Sequence, residues 1–236
     1  MHNGSAAHRT EVLAIRDATI VPWGSAQRAL VNVDLTLAPG TLALVLAGPA
    51  SPGWLLADAC CGLAETRAGS VRFLGEDWAE ISASRACGLR GRIGRVFEGE
   101  NWLNYASVGD NIMMRDMHHT ARPEDEIRAE AERVARDFGL PGLPTSRPHD
   151  MMKQDLQRAA CARAFVGSPE LILLEHPIQE MQVGLMGALM NCVKRARDRG
   201  AAALWITSAE RIWRDEAIRA DVRARLIGSQ YVRTEH

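Results

Sequence analysis

Hydrophobic and polar positions alternate in two registers along this chain. Segments 11–20 and 31–37 switch between apolar and polar residues with a period of two, which predicts strands with one buried face. The runs TLALVLAG (41–48), ELILLEH (170–176) and AAALWITS (201–208) are continuously apolar, as strands covered on both faces require. Leu56, Ala59, Cys60 and Leu63 recur at helical spacing and predict a helix over 55–63. AGSVRFLGEDW (68–78) predicts a short strand and turn, and GRIGRVFEG (91–99) another strand. From 110 to 160 the chain becomes helical and charged. There RPEDEIRAEAERVARDFGL (122–140) places Ile127, Ala131, Val134 and Phe138 on one face, and LPGLPTSRPHD (140–150) is a proline-rich loop. LQRAACARAFVG (156–167) and segment 181–199 predict two further helices, and VRARLIGSQYVR (222–233) a closing hairpin. Strands alternating with helices around a helical insertion imply an α/β protein: a parallel-sheet core carrying a helical lobe.

Composition narrows the function. With 236 residues, 47% hydrophobic and 24% charged, the chain can bury one sizeable core. A net charge of −1 and the lack of a basic patch interleaved with aromatics argue against nucleic acid as a partner. Cys60, Cys61, Cys87, Cys161 and Cys192 are odd in number and lack C-x-x-C spacing, which fits reduced thiols better than disulfides or zinc. Cys60-Cys61 and His118-His119 read as core and surface residues, with no metal expected. MHNGSAAHRTEV has no signal-peptide core, and no apolar run approaches the ~18 residues of a membrane span. The expectation is a cytoplasmic protein able to sit peripherally against a membrane protein.

The order and spacing of three segments resemble the nucleotide-binding subunits of ABC transporters over nearly the whole chain. DLTLAPGTLALVLAGP (34–49) follows the segment leading into the family's phosphate loop. RIGRVFEGENWLNYASVGDNIMM (92–114) follows the Q-loop and the helix after it. RPHDMMKQDLQRAACARAFVGSPELILLEHP (147–177) follows the signature helix into the Walker B strand. The resemblance implies a P-loop NTPase fold: a mostly parallel core with an N-terminal antiparallel β portion and an inserted helical lobe. One domain spans 1–236, with core at 11–97 and 161–236 and lobe at about 98–160.

The family's chemistry is missing at most of its stations. A phosphate loop G-x-x-x-x-G-K-[ST] cradles phosphates with backbone N–H groups, a lysine and a Mg2+-binding hydroxyl. Aligned on Gly48 and Gly53, this chain has Trp54 for the lysine and Leu55 for the hydroxyl, and Pro52 removes a donor. At roughly 1.5–3 kcal/mol per charge-assisted hydrogen bond, these losses cost ~5 kcal/mol, about three to four decades of affinity. Glu98 replaces the Q-loop glutamine. MMKQD (151–155) replaces L-S-G-G-Q, so that Met152, Lys153 and Asp155 open the signature helix, where a carboxylate satisfies the helix dipole and repels phosphate. Glu175 and His176 stand where Walker B has Asp-Glu, and Ser208 where a histidine contacts the γ-phosphate. Trp23 alone keeps its type, aligned with the aromatic that stacks on adenine.

These losses together imply a pseudo-ATPase, a non-catalytic subunit of a membrane transport complex that needs no cofactor. Its implied partners are an integral membrane permease and a second ATPase subunit or a second copy of itself. The permease groove would run along Phe97–Asn111, with Phe97, Trp102, Leu103, Tyr105 and Val108 as anchors for an amphipathic helix. The stretch 102–112 most resembles the ATPases of mammalian-cell-entry (MCE) lipid transporters, which implies an MCE-type lipid-binding protein and a hydrophobic cargo. One alternative is a working ATPase that holds ATP and Mg2+ through Trp23, backbone amides and Glu175, with His176 as base. The other is an adaptor unconnected to transport.

Overall fold

The computed structural model describes residues 11–24, 28–48, 51–99, 101–178 and 184–234. In chain order the elements are β1 (Leu13–Val21), β2 (Leu30–Leu37), β3 (Leu42–Ala47), α1 (Gly53–Cys60), β4 (Glu65–Phe73), β5 (Glu76–Asp77), α2 (Ala83–Arg90) and β6 (Ile93–Val96). The helices α3 (Val108–His119), α4 (Glu124–Asp137) and α5 (Lys153–Phe165) follow. The chain then alternates through β7 (Leu171–Glu175), α6 (Leu185–Asp198), β8 (Ala202–Thr207) and α7 (Glu210–Arg214) to the hairpin β9 (Val222–Ile227) and β10 (Gln230–Thr234). The strand order is β5-β4-β1-β2-β10-β9-β3-β8-β7-β6. Strands β6, β7, β8, β3 and β9 are parallel, whereas β1 pairs antiparallel with both β2 and β4. This is the α/β architecture expected, antiparallel portion included. The short helices α2 and α7 carry too little periodic signal to be read from sequence. The start of the 181–199 helix lies outside the described residues.

Each continuously apolar strand serves two cores. On β3, Ala43, Val45 and Ala47 face α1 and the antiparallel strands, while Leu42, Leu44 and Leu46 face the helical lobe. On β7, Leu171 and Leu173 take the first side and Ile172 and Leu174 the second. Alternation of side chains across a strand therefore demands an apolar residue at every position. The same parity sets the site: Arg95 follows Ile93 by two, and Glu175 follows Leu173 by two, so both point to the α1 side.

The lobe begins with a well-capped helix. Ser107 and Asp110 form a reciprocal capping box at the start of α3, and the Asp110 carboxylate lies 2.6 Å from the Ser107 hydroxyl. Ile127, Ala131, Val134 and Phe138 are buried, as the helical period predicts. Among the described residues no helix is long and apolar enough to cross a membrane.

Candidate functional site

Between β3 and α1, the described residues Gly48, Ser51 and Gly53 bond to one another. Ser51 N–H donates to the Gly48 carbonyl at 2.9 Å, and Gly53 N–H to the Ser51 carbonyl at 2.9 Å. The Ser51 hydroxyl donates to the Leu226 carbonyl at 2.9 Å. Pro52 has no N–H and serves as N-cap without a side-chain bond. The Ser51 and Gly53 amides are thus spent on carbonyls of the loop rather than left open to an anion. Gly53 is required by close approach: a Cβ there would lie 2.9 Å from the Ile206 side chain. Leu55 is fully buried in the core under α1, and Trp54 packs half-buried against it. Leu55, aligned with the Mg2+-binding hydroxyl, therefore lies in the core, because its helical position faces the sheet.

Beneath α1 lies a feature that the motif comparison passed over. The Arg95 guanidinium reaches Glu175 at 2.6 Å through Nε and Asp58 at 2.7 Å through an Nη, and its side chain is only 8% exposed. Glu175, at the end of β7, is 2% exposed. Burial pushes its carboxyl above the usual range, and Arg95 and the Glu98 amide pull it back. Beside them burial lifts the Cys61 thiol to about 11, so it stays neutral. A charged residue at a buried position of a short strand was the available sequence signal, because a buried guanidinium must find a carboxylate. Its partners, 37 positions earlier on α1 and 80 later on β7, are invisible to local pattern.

Around this pair the replaced stations fall into place. His176 takes φ of +45°, a left-handed conformation uncommon for a residue with a side chain, and its Nε2 stands 3.9 Å from the Glu98 carboxylate. Glu98, Lys153, Glu175 and His176 line one cleft of about 260 Å³ together with Trp102 and Gln157. That is below the roughly 300–1,000 Å³ usual for small-molecule sites. Met152 caps α5 and is exposed, and Asp155 sits in the first helical turn, as expected. Ser208 is exposed after β8, and Trp23 is exposed in the turn after β1; neither lines the cleft. Trp54 brings no cation to the start of α1, and Glu175 is held by a guanidinium.

The segment ahead of α3 is built differently. Asn111, buried, accepts from the Leu103 amide at 2.9 Å and donates to the carbonyls of Leu103 and Ser107 at 3.2 and 2.8 Å. Arg163 lies 4.3 Å above the Trp102 ring and 5.3 Å from that of Phe97, with Arg95 4.5 Å over Phe97. Burial pulls the Arg163 guanidinium down to about 10. Tyr105 is 77% exposed, and Phe97, Trp102 and Leu103 are half-buried. Val108 is fully buried in the lobe core and offers no surface, which corrects its assignment as an anchor: it opens α3 on the helix's inward face. Asn111 and Arg163 were not singled out in the sequence, yet they set the shape of this segment.

The chain resembles known proteins along most of its length. The family model described as "ABC transporter" matches residues 30–179. The L-cystine transport system ATP-binding protein of Escherichia coli is 26% identical over 88% of this chain and 85% of its own. The arginine transport ATP-binding protein of Corynebacterium glutamicum is 28% identical over 75% of this chain and 74% of its own. A dimeric structure of a bacterial ABC transporter cassette superposes with a TM-score of 0.82 at 16% identity, covering 95% of this chain and 99% of that one. Sheet order, inserted lobe and matched motif segments lead to one conclusion: the chain belongs to the ABC transporter family.

Proposed function

We propose that this chain is the nucleotide-binding-type subunit of an ABC membrane transport complex and that it acts without hydrolysing ATP. The observation that carries this reading is the Arg95 guanidinium seated on the Glu175 carboxylate, where the family pattern calls for an acid serving Mg2+. Extracting one partner of a buried ion pair costs roughly 3–5 kcal/mol, so Mg2+ competes against a cation already in place. The Ser51 and Gly53 amides, bonded within the loop, and the bulk of Trp54 act in the same direction. Retention of the scaffold then serves assembly. The segment from Phe97 to Tyr105, stiffened by Asn111 and Arg163, receives an amphipathic helix of an integral membrane permease at the cytoplasmic face. A second ABC subunit, or a second copy of this chain, completes the cassette pair. The two relatives named above belong to cystine and arginine transport. A hydrophobic, MCE-type cargo is the reading of the stretch 102–112 alone.

Titration of the purified chain with labelled ATP at millimolar Mg2+ tests the catalytic half. We expect no saturation below about millimolar nucleotide, and no rescue by Trp54→Lys with Leu55→Ser, because Arg95 still holds Glu175. Micromolar binding, or turnover lost in His176→Ala, overturns it. Extraction of the native complex in mild detergent tests the transport half: an integral membrane subunit must accompany the chain, and an MCE-type lipid-binding protein distinguishes the lipid cargo.

A further inference from the structure

Away from the nucleotide face, α2 and α3 bring three soft and borderline ligands together. Cys87 in the last turn of α2 and His118 and His119 at the end of α3 place one ligand atom each within 4.8 Å of one another. The sequence view of His118-His119 as a plain surface pair lacked the third member, 31 positions earlier. The arrangement is held from below. A Cβ at Gly91 would sit 2.4 Å from the His119 ring, so the glycine lets the imidazole lie against the chain as it leaves α2. The two imidazoles meet edge to face with centroids 4.7 Å apart.

The surroundings favour a cation. Both helices end at this point, and the carbonyl ends of helices carry negative potential. The neighbouring guanidinium groups are engaged elsewhere: Arg90 with the carbonyls of Cys61 and Gly62, Arg85 with Glu76, Arg92 with Glu170, and Arg115 with Ile93, Val166 and Asp116. Cys87 and His118 are exposed and His119 half-exposed, which leaves an entry path. Metal–ligand bonds of about 2.3 Å to sulfur and 2.0–2.1 Å to nitrogen need donor separations of roughly 3.5 Å, which modest side-chain rotation supplies.

We propose that Cys87, His118 and His119 bind one divalent transition-metal ion of the Zn2+ class. The Cys87 thiol gives up its proton to solvent, both imidazoles coordinate through a nitrogen lone pair, and water takes the fourth position. Leu89 of α2 belongs to the core beneath α1, whereas Ile112 and Met113 of α3 belong to the core of the lobe. A metal here ties one packing unit to the other and restrains the lobe against the sheet. This site stands independently of the nucleotide reading.

The experiment uses the full chain stripped with EDTA and titrated with Zn2+ and with Co2+ as spectroscopic probe. We expect one ion per chain and a thiolate-to-cobalt charge-transfer band. Zn2+ at a hundredfold excess over Kd should raise Tm by roughly 5 °C, reversed by EDTA. Cys87→Ser, at an exposed position that leaves the fold intact, removes the band and weakens Zn2+ binding about tenfold or more. His118→Gln keeps the band but weakens binding. Equal Zn2+ affinity in the wild type and Cys87→Ser, a band that survives Cys87→Ser, or no saturation at micromolar Zn2+ overturns the proposal.

Discussion

The loop before α1 and the segment before α3 both lead from a parallel strand into a helix, and their chemistry is opposite. Ahead of α1 stands Pro52, with no side-chain cap and no acidic residue in the first turn. Ahead of α3, Ser107 and Asp110 bond each other's backbone, and Asn111 makes three bonds to the preceding chain. The first turn of α1 packs closely against Ile206 and Ala47, with Gly53 at the contact. In the proposed role, a segment that offers Tyr105 and Trp102 to a permease helix gains from a backbone already held still, because ordering it on binding would cost affinity. Buried polar side chains hold the backbone ahead of α3, whereas apolar packing holds the start of α1.

The comparison breaks most visibly at Arg95. Arg95→Ala leaves Glu175 buried without its cation and should destabilise the fold by about 3–5 kcal/mol, lowering Tm by about 10 °C or more. Adding Glu175→Leu should recover much of that loss, and a double-mutant cycle in denaturant reads the coupling. Equal losses in the single and double variants would show that the pair is not the keystone of the α1 face. A smaller effect is expected on the other side. Asn111→Ala strips three hydrogen bonds from the segment 103–107 and should cost about 2–3 kcal/mol, with faster amide exchange confined to that segment. Smallest is Ser107→Ala, a lost helix cap worth about 1 kcal/mol by chemical denaturation. If Ser107→Ala proves as costly as Asn111→Ala, capping rather than the buried amide holds the segment.

Much of the fold was open to reading from the chain. The apolar runs at 41–48, 170–176 and 201–208 became the central parallel strands, and the amphipathic pattern around Ile127 and Val134 became α4. The replaced motif positions were also legible, since they need only alignment along one dimension. Arg95, Asp58 and Asn111 were not, because each acts through a partner that is distant in sequence or through backbone atoms, which carry no letter. Val108 misled for a related reason: an apolar residue beside exposed Tyr105 looks like surface until the direction of α3 is known.

By itself the sequence determined which segments form the central strands and the amphipathic helices, and which residue types stand at the family's motif positions. Both follow from side-chain type and short-range period, which the backbone obeys locally. Only the tertiary structure decided that Arg95 is seated between Glu175 and Asp58, that the Ser51 and Gly53 amides bond within the loop before α1, and that Cys87 meets His118 and His119. Those outcomes depend on which faces of β6, β7, α2 and α3 come together, and burial of two apolar cores against one sheet fixes that choice.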